Sequence, residues 1–233
     1  MTQARDQSTH PARTPVMQQW RWMTGALGAA MAISLTGLAG WLAPGASPAL
    51  PWLVASMGAS TVLIFMVPAS PLAQPWPVAG GHLLAATMGL LARDQLPEPW
   101  LVTGLAVGLA IAGMSLLRCL HPPAGGTALI ATLSAPGAPR NWQFLLSPLA
   151  INLTVLLVCG LVWHRLTGHT YPHRPAPVPS PAAWAGHIED ADLDAVLAGW
   201  DEQLDVSRDD LLALIHAAEA RVLARFQSGT TKP

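Results

Sequence analysis

WMTGALGAAMAISLTGLAGWLAPGASPALPWLVASMGASTVLIFMVPASPLAQPWPVAGGHLLAATMGLLA, residues Trp22 to Ala92, runs for 71 residues without one charged side chain. Arg21 precedes it, and Arg93, Asp94 and Glu98 follow it. The chain is uncharged again over Pro99–Leu117, Cys119–Pro139 and Asn141–His164, with Arg118, Arg140 and Arg165 between and after these stretches. A helix of a water-soluble domain needs a polar face on its outer side. From Trp22 to His164 no such face can be drawn, so the solvent of this region is lipid. The whole chain is 52% hydrophobic and 11% charged, against roughly 25% charged in soluble domains. The expected fold class is an all-α, polytopic membrane bundle.

Prolines divide the apolar region into six hydrophobic segments: Met23–Leu42, Trp52–Val67, Val78–Ala92, Trp100–Leu117, Ala124–Ala135 and Phe144–Trp163. About 20 residues are needed to cross the hydrocarbon core as a helix. The second and fifth segments fall short, opening on Gly58-Ala-Ser-Thr and Gly125-Gly-Thr and stopping at Pro68 and Pro136. The order long, short, long thus occurs twice, at 23–92 and 100–163. Interrupted segments at matching places in two halves point to a transporter site. Two short half-helices are therefore expected, with small residues that merely allow close packing as the alternative. Arg5, Arg13 and Arg21 flank the first span and Arg165 and Arg174 the last, so both termini are expected in the cytoplasm with an even number of crossings. Four crossings put Arg118 and Arg140 outside and six put Arg93 and Arg140 outside; the charges do not choose. The first apolar run is long enough to be retained and does not read as a cleaved signal. Cys119 and Cys159 read as buried apolar thiols.

The domain reading follows: a polar segment 1–21, a membrane domain 22–165, a proline-rich linker 166–187 and an acidic tail 188–233. Net charge is +3 over 21–165 and −5 over 166–233. The tail carries two amphipathic patterns that read as a cytosolic helical hairpin. The first presents Leu193, Val196, Leu197, Trp200 and Leu204; the second presents Leu211, Leu214, Ile215, Ala218, Val222 and Phe226. Ser207 with Asp210 three residues on marks the start of the second helix. A hairpin this small needs a surface to dock on, either the membrane body or a partner copy.

Chemistry concentrates in Arg118-Cys119-Leu120-His121-Pro122-Pro123-Ala124-Gly125-Gly126-Thr127. Prolines suit a helix start, and a helix N-terminus with accessible Gly125 and Gly126 amides suits an anion. Arg118 can supply positive charge or simply reach to the interface. His121 can bond a carbonyl and hold the turn, touch an anion, or relay a proton. His82, inside an apolar segment, is a functional candidate because ionisable groups in a membrane are costly. Gly58, Ser60 and Thr61 open the first short segment; they and Ser56 and Thr127 line a path or cap helices. Asn152, at a comparable place in the second half, reads as a helix–helix hydrogen bond.

The stretch His121-Pro122-Pro123 followed by Ala-Gly-Gly-Thr-Ala-Leu resembles the signature of the HPP family of integral membrane proteins. Gly58-Ala-Ser-Thr-Val-Leu-Ile-Phe, Pro68-Ala-Ser-Pro-Leu-Ala-Gln-Pro-Trp and Gly80-Gly81-His82 look like that family's first half, so the resemblance covers roughly residues 20–170. It implies four membrane-spanning helices, a multi-pass protein of a bacterial inner membrane, and nitrite transport by analogy with plant plastid members. The adenylate-sensing domains of some relatives are not carried over.

The leading expectation is a transporter or channel for a small inorganic anion such as nitrite, not an enzyme. Acidic residues are absent from Trp22–Ala92 and Pro99–His164, whereas cation pores favour acidic rings. The lipid bilayer and a possible homo-oligomer are the other partners; nucleic acid, cofactor and metal are not expected. The alternatives are a metal-dependent membrane enzyme using His82, His121, His164 and His169, and a scaffold acting through residues 188–228.

Overall fold

The computed structural model describes residues 21–43, 52–93, 95–96, 98–133, 142–174, 188–198 and 205–227. The polar N-terminus, the Pro44–Pro51 connection, Arg140, most of the proline-rich linker and Trp200 lie outside the described residues. The elements are α1 (Arg21–Leu42), α2 (Ser56–Met66), a 3₁₀ turn (Pro71–Ala73), α3 (Pro75–Ala92), α4 (Pro99–Leu116), α5 (Ala124–Thr132), α6 (Ile151–Leu166), α7 (Asp190–Ala198) and α8 (Arg208–Gln227). Prolines open α3 and α4, where a missing N–H costs nothing. The last membrane segment, expected to be continuous from Phe144, instead begins with a wide turn at Leu145–Ala150. Ser147 takes extended angles (φ −136°, ψ 117°) before Pro148, as the residue preceding a proline prefers.

Close approaches give the directions of the legs. A Cβ on Gly28 would meet Trp163, and one on Gly40 would meet Trp52 and Asn152, so α1 runs antiparallel to both α2 and α6. Leu84 packs on Gly113 and Met114 on Gly81, making α3 and α4 antiparallel, while Gly81 beside His121 and Gly89 beside Ala128 make α3 and α5 parallel. The six membrane legs therefore alternate. Each short helix runs antiparallel to its neighbours in the chain, the direction that the six-crossing alternative requires. Helices Trp22–Leu42, Pro99–Leu116 and the leg Leu145–Leu166 are long and apolar enough to cross a membrane. The legs α1–α2–α3 and α4–α5–α6 run in opposite senses, as the long, short, long order of the two halves requires of inverted-topology repeats.

Burial runs opposite to that of a soluble protein. On α4, Val102, Ala106, Ala110 and Met114 are buried at helical spacing, while Leu101, Leu105, Leu109, Ile111 and Leu116 face out. Small residues let backbones approach where apolar burial gives no net drive, because lipid is as apolar as leucine. Cys119 is buried, Cys159 is half-buried, and both are free thiols.

The tail helices join through Arg208, whose guanidinium bonds both oxygens of Asp194 (2.5 and 2.9 Å), and through the Ile188 amide, which donates to Glu219 (2.6 Å). Ser207 caps α8 as expected: its hydroxyl oxygen accepts from the Asp210 amide at 3.0 Å and its hydroxyl donates to the Asp210 carboxylate. The expected apolar face of α8 is turned inward only in part, with Leu211 and Ile215 half-buried. His216 and Glu219 are buried, whereas Leu214, Ala218, Val222 and Phe226 are exposed. Glu219 accepts the Ile188 amide on this inward side, a polar contact that apolar spacing does not register. The hairpin docks on the membrane body. Ser70 donates to Asp205 (2.6 Å), and His173, whose amide bonds the Gln74 side chain (2.8 Å), meets Asp210 at 2.7 Å.

Burial opposes ionisation of Asp210, yet hydrogen bonds from Ser207 and His173 hold its carboxyl below the ordinary value. A depressed folded value contributes stability above the unfolded one, about 3.9, and loses it as pH falls through the folded value. Tail docking is thus expected to persist at pH 7 and to loosen only below about pH 4. Asp210→Asn should mimic that loosening at pH 7 as faster amide exchange over Ser207–Leu211; unchanged protection would refute the anchor.

Candidate functional site

Four fully buried polar side chains from separate stretches meet between the two halves: Ser60 of α2, His82 of α3, His121 of the turn after α4, and Thr127 of α5. Ser60 Oγ lies 2.8 Å from His82 Nε2 and 2.8 Å from His121 Nε2. It therefore bridges two imidazoles whose ring centroids are 5.0 Å apart. His82 Nδ1 reaches Thr127 Oγ1 at 2.6 Å, and Thr127 Oγ1 reaches Ser56 Oγ at 2.6 Å. At the other end, His121 Nδ1 donates to the Leu72 carbonyl at 2.7 Å. Ser60 Oγ also lies 3.3 Å from the Ser56 carbonyl.

Local sequence explains why these groups converge. His82 sits seven residues into α3, roughly 10 Å along a helix of roughly 27 Å. Gly81, one residue earlier, leaves room for the signature turn: a Cβ there would lie 2.9 Å from His121 Cβ and 3.0 Å from the Cys119 carbonyl. Gly81→Ala should therefore displace His121, destabilising by about 1–3 kcal/mol. Gly125→Ala and Gly58→Ala, whose Cβ atoms would meet nothing within 4 Å, should leave the melting temperature near wild type. Equal melting temperatures for all three variants would contradict this account.

The other anticipated residues lie elsewhere. Arg118 is exposed with φ 52°. The amide of Cys119 bonds Met114 O (2.9 Å) and that of Arg118 bonds Ser115 O (3.3 Å), which is the Schellman ending of a helix with Arg118 at the left-handed position. In that motif the next residue, here Cys119, turns in against the helix, and Arg118 turns out. Arg118→Gly should leave the turn intact and raise stability by up to about 1 kcal/mol, read as a thermal shift, because relief of roughly 1–2 kcal/mol of left-handed strain exceeds the cost of glycine's freedom in the unfolded chain. A loss of stability would mean that the arginine side chain holds the turn.

The α5 amides are not open to an anion. Ala124, Gly125 and Gly126 donate to His121, Pro122 and Pro123 at 2.9–3.1 Å, because the first turn closes on itself in a water-poor place. Gly126 keeps a different role, since a Cβ there would lie 3.3 Å from Ser56 Cβ. Thr61 bonds its own helix at Met57 O. Asn152 accepts from the Val54 amide (2.8 Å) and donates to Trp52 O (3.3 Å), holding the unwound stretch before α2. His164 bonds Ile64 O and packs beside His169, whose ring centroid is 5.8 Å away. Among the described residues no three His, Cys, Asp or Glu side chains converge to hold a metal. The Leu72 carbonyl was not anticipated: a backbone acceptor leaves no residue-type signal, and only the proline-rich stretch around it marked an ordered loop.

Fold and site together define a polytopic helical membrane protein with inverted halves and a buried imidazole–hydroxyl centre. Over residues 14–172 the chain matches the family described as HPP, transmembrane region, and it belongs to that family. The stretches containing Ser60, Leu72, His82 and His121 that carried the resemblance are the ones that meet at this centre. A transmembrane protein of Dictyostelium discoideum is 41% identical over 69 residues, 29% of this chain and 22% of that protein. The match thus spans about a fifth of that relative's length. No solved structure matches the chain.

Proposed function

We propose that the protein moves a small inorganic anion across the membrane, with nitrite the first candidate, through the centre formed by Ser60, His82, His121 and Thr127. The observation that carries this reading is a closed polar cluster drawn from both halves of an inverted repeat. Transporter sites sit at such repeat interfaces, near interrupted helices. Ionisable groups are expensive inside a membrane, and four convergent polar side chains exceed what packing alone calls for. The absence of acids from Trp22–Ala92 and Pro99–His164 favours an anion over a cation. The family resemblance puts nitrite first among the small anions. The protein works as a transporter rather than as an enzyme, in a bacterial inner membrane with both termini cytoplasmic.

Purified protein in liposomes, challenged with nitrite, nitrate, formate and chloride, tests the reading. Uptake of one anion well above protein-free vesicles is expected. No uptake of any of the four would sink it. Protease cleavage of intact membranes in the linker from the external face alone would overturn the orientation.

A further inference from the structure

We propose that the protein carries a proton together with its anion, and that Ser60 passes this proton between His82 and His121. The inference rests on the transport reading and adds the coupling ion to it. It begins with hydrogen-bond direction. The Leu72 carbonyl can only accept, so His121 Nδ1 must carry a hydrogen. No acid lies in Trp22–Ala92 or Pro99–His164 to pair with an imidazolium, and a neutral ring offers one donor and one acceptor. His121 Nε2 is then an acceptor and takes the hydroxyl hydrogen of Ser60 at 2.8 Å, in preference to the Ser56 carbonyl at 3.3 Å. With that hydrogen committed, His82 Nε2 must donate to Ser60 Oγ. His82 Nδ1 accepts from Thr127, and Thr127 Oγ1 accepts from Ser56. One carbonyl thus sets the polarity of five successive hydrogen bonds.

A chain polarised in one direction can shift protons without moving heavy atoms. A proton arriving on Ser56 Oγ lets Ser56 pass its own hydroxyl proton to Thr127 as Thr127 gives its hydroxyl proton to His82 Nδ1. His82 releases its Nε2 proton to Ser60, which gives its own hydroxyl proton to His121 Nε2. His121 then holds two protons and releases the one on Nδ1. Each hop makes one N–H or O–H bond and breaks one, so a single positive charge crosses from ring to ring. The Leu72 carbonyl cannot keep a proton, so release requires it to part from the ring.

The same geometry says why an anion needs this proton. A dehydrated anion requires a compensating positive charge. Arg118 turns outward, and the first α5 amides are spent on their own turn. Among the described residues, the positive charge available at the centre is one that arrives on an imidazole. Anion and proton enter together, and the pair is neutral.

The test measures proton and nitrite fluxes together in liposomes at pH 7.5, with protein-free vesicles subtracted. Wild type is expected to move about one proton per nitrite. Ser60→Ala should lower the proton and nitrite fluxes together, each at least tenfold, and Ser60→Thr, which keeps the hydroxyl, should restore both. A wild-type ratio near zero, or an undiminished proton flux in Ser60→Ala, would overturn the coupling and leave anion transport standing. If wild type moves no nitrite, the transport reading falls, and nitrogen NMR of the histidines decides the relay independently. His121 protonated on Nδ1 and His82 on Nε2 supports it; either opposite tautomer overturns it.

Discussion

His82→Leu is expected to reduce anion uptake to below about 1% of wild type, because removing a member of a group acting as a unit can cost nearly the whole function. Leucine fills much of the imidazole volume but returns neither hydrogen bond. Ser60 and Thr127, both fully buried, would each lose a partner at 2.8 or 2.6 Å. A buried polar group stripped of its partner costs about 1–3 kcal/mol. The Ser56 carbonyl, 3.3 Å from Ser60 Oγ, only accepts and cannot replace the lost donor, so a net destabilisation of roughly 2–4 kcal/mol is expected. His82→Gln keeps a donor and an acceptor and should recover most of the stability but little of the uptake. Melting temperature in detergent and initial uptake rate separate the two effects. Uptake within threefold of wild type in the leucine variant would remove His82 from the site.

The second large effect is expected at Asn152, outside the proposed path. Its amide satisfies the Val54 N–H and the Trp52 carbonyl, two backbone groups in the unwound approach to α2. Backbone that is not helical at membrane depth persists only where protein satisfies it. Asn152→Leu leaves both groups without a partner, at a cost of roughly 2–5 kcal/mol. Because the same stretch sets where α2 begins, Ser60 should shift away from the imidazoles, and uptake should fall with stability. Asn152→Asp keeps an acceptor for Val54 but no donor for Trp52, and should lie between wild type and leucine. A leucine variant as stable as wild type would show that another group holds this stretch.

The positions of the membrane legs were legible because charge, proline and chain length act locally: α1, α3 and α4 begin or end within three residues of the segments drawn from sequence. Direction was not. Hydropathy cannot say whether a short segment turns back, and the answer came from non-local contacts such as Gly89 on Ala128. Of the anticipated site residues, Ser60, His82, His121 and Thr127 converge. Arg118 shows the limit of adjacency: two residues separate it from His121, yet the left-handed turn sends one to the surface and the other to the interior. The inward face of α8 was partly misjudged because apolar spacing says nothing of a glutamate that accepts a distant amide.

The loop Pro68–Gln74 has two sets of attachments. Leu72 holds His121 from one side, while Ser70 and Gln74 meet Asp205 and His173 from the other. Equilibrium linkage makes any influence across such a shared segment mutual. If docking of the tail changes the anion's affinity by some factor, occupancy of the site must change tail docking by the same factor. A fluorescent label on α8 would then work as an occupancy gauge for a centre buried in the membrane, readable at equilibrium with no gradient applied.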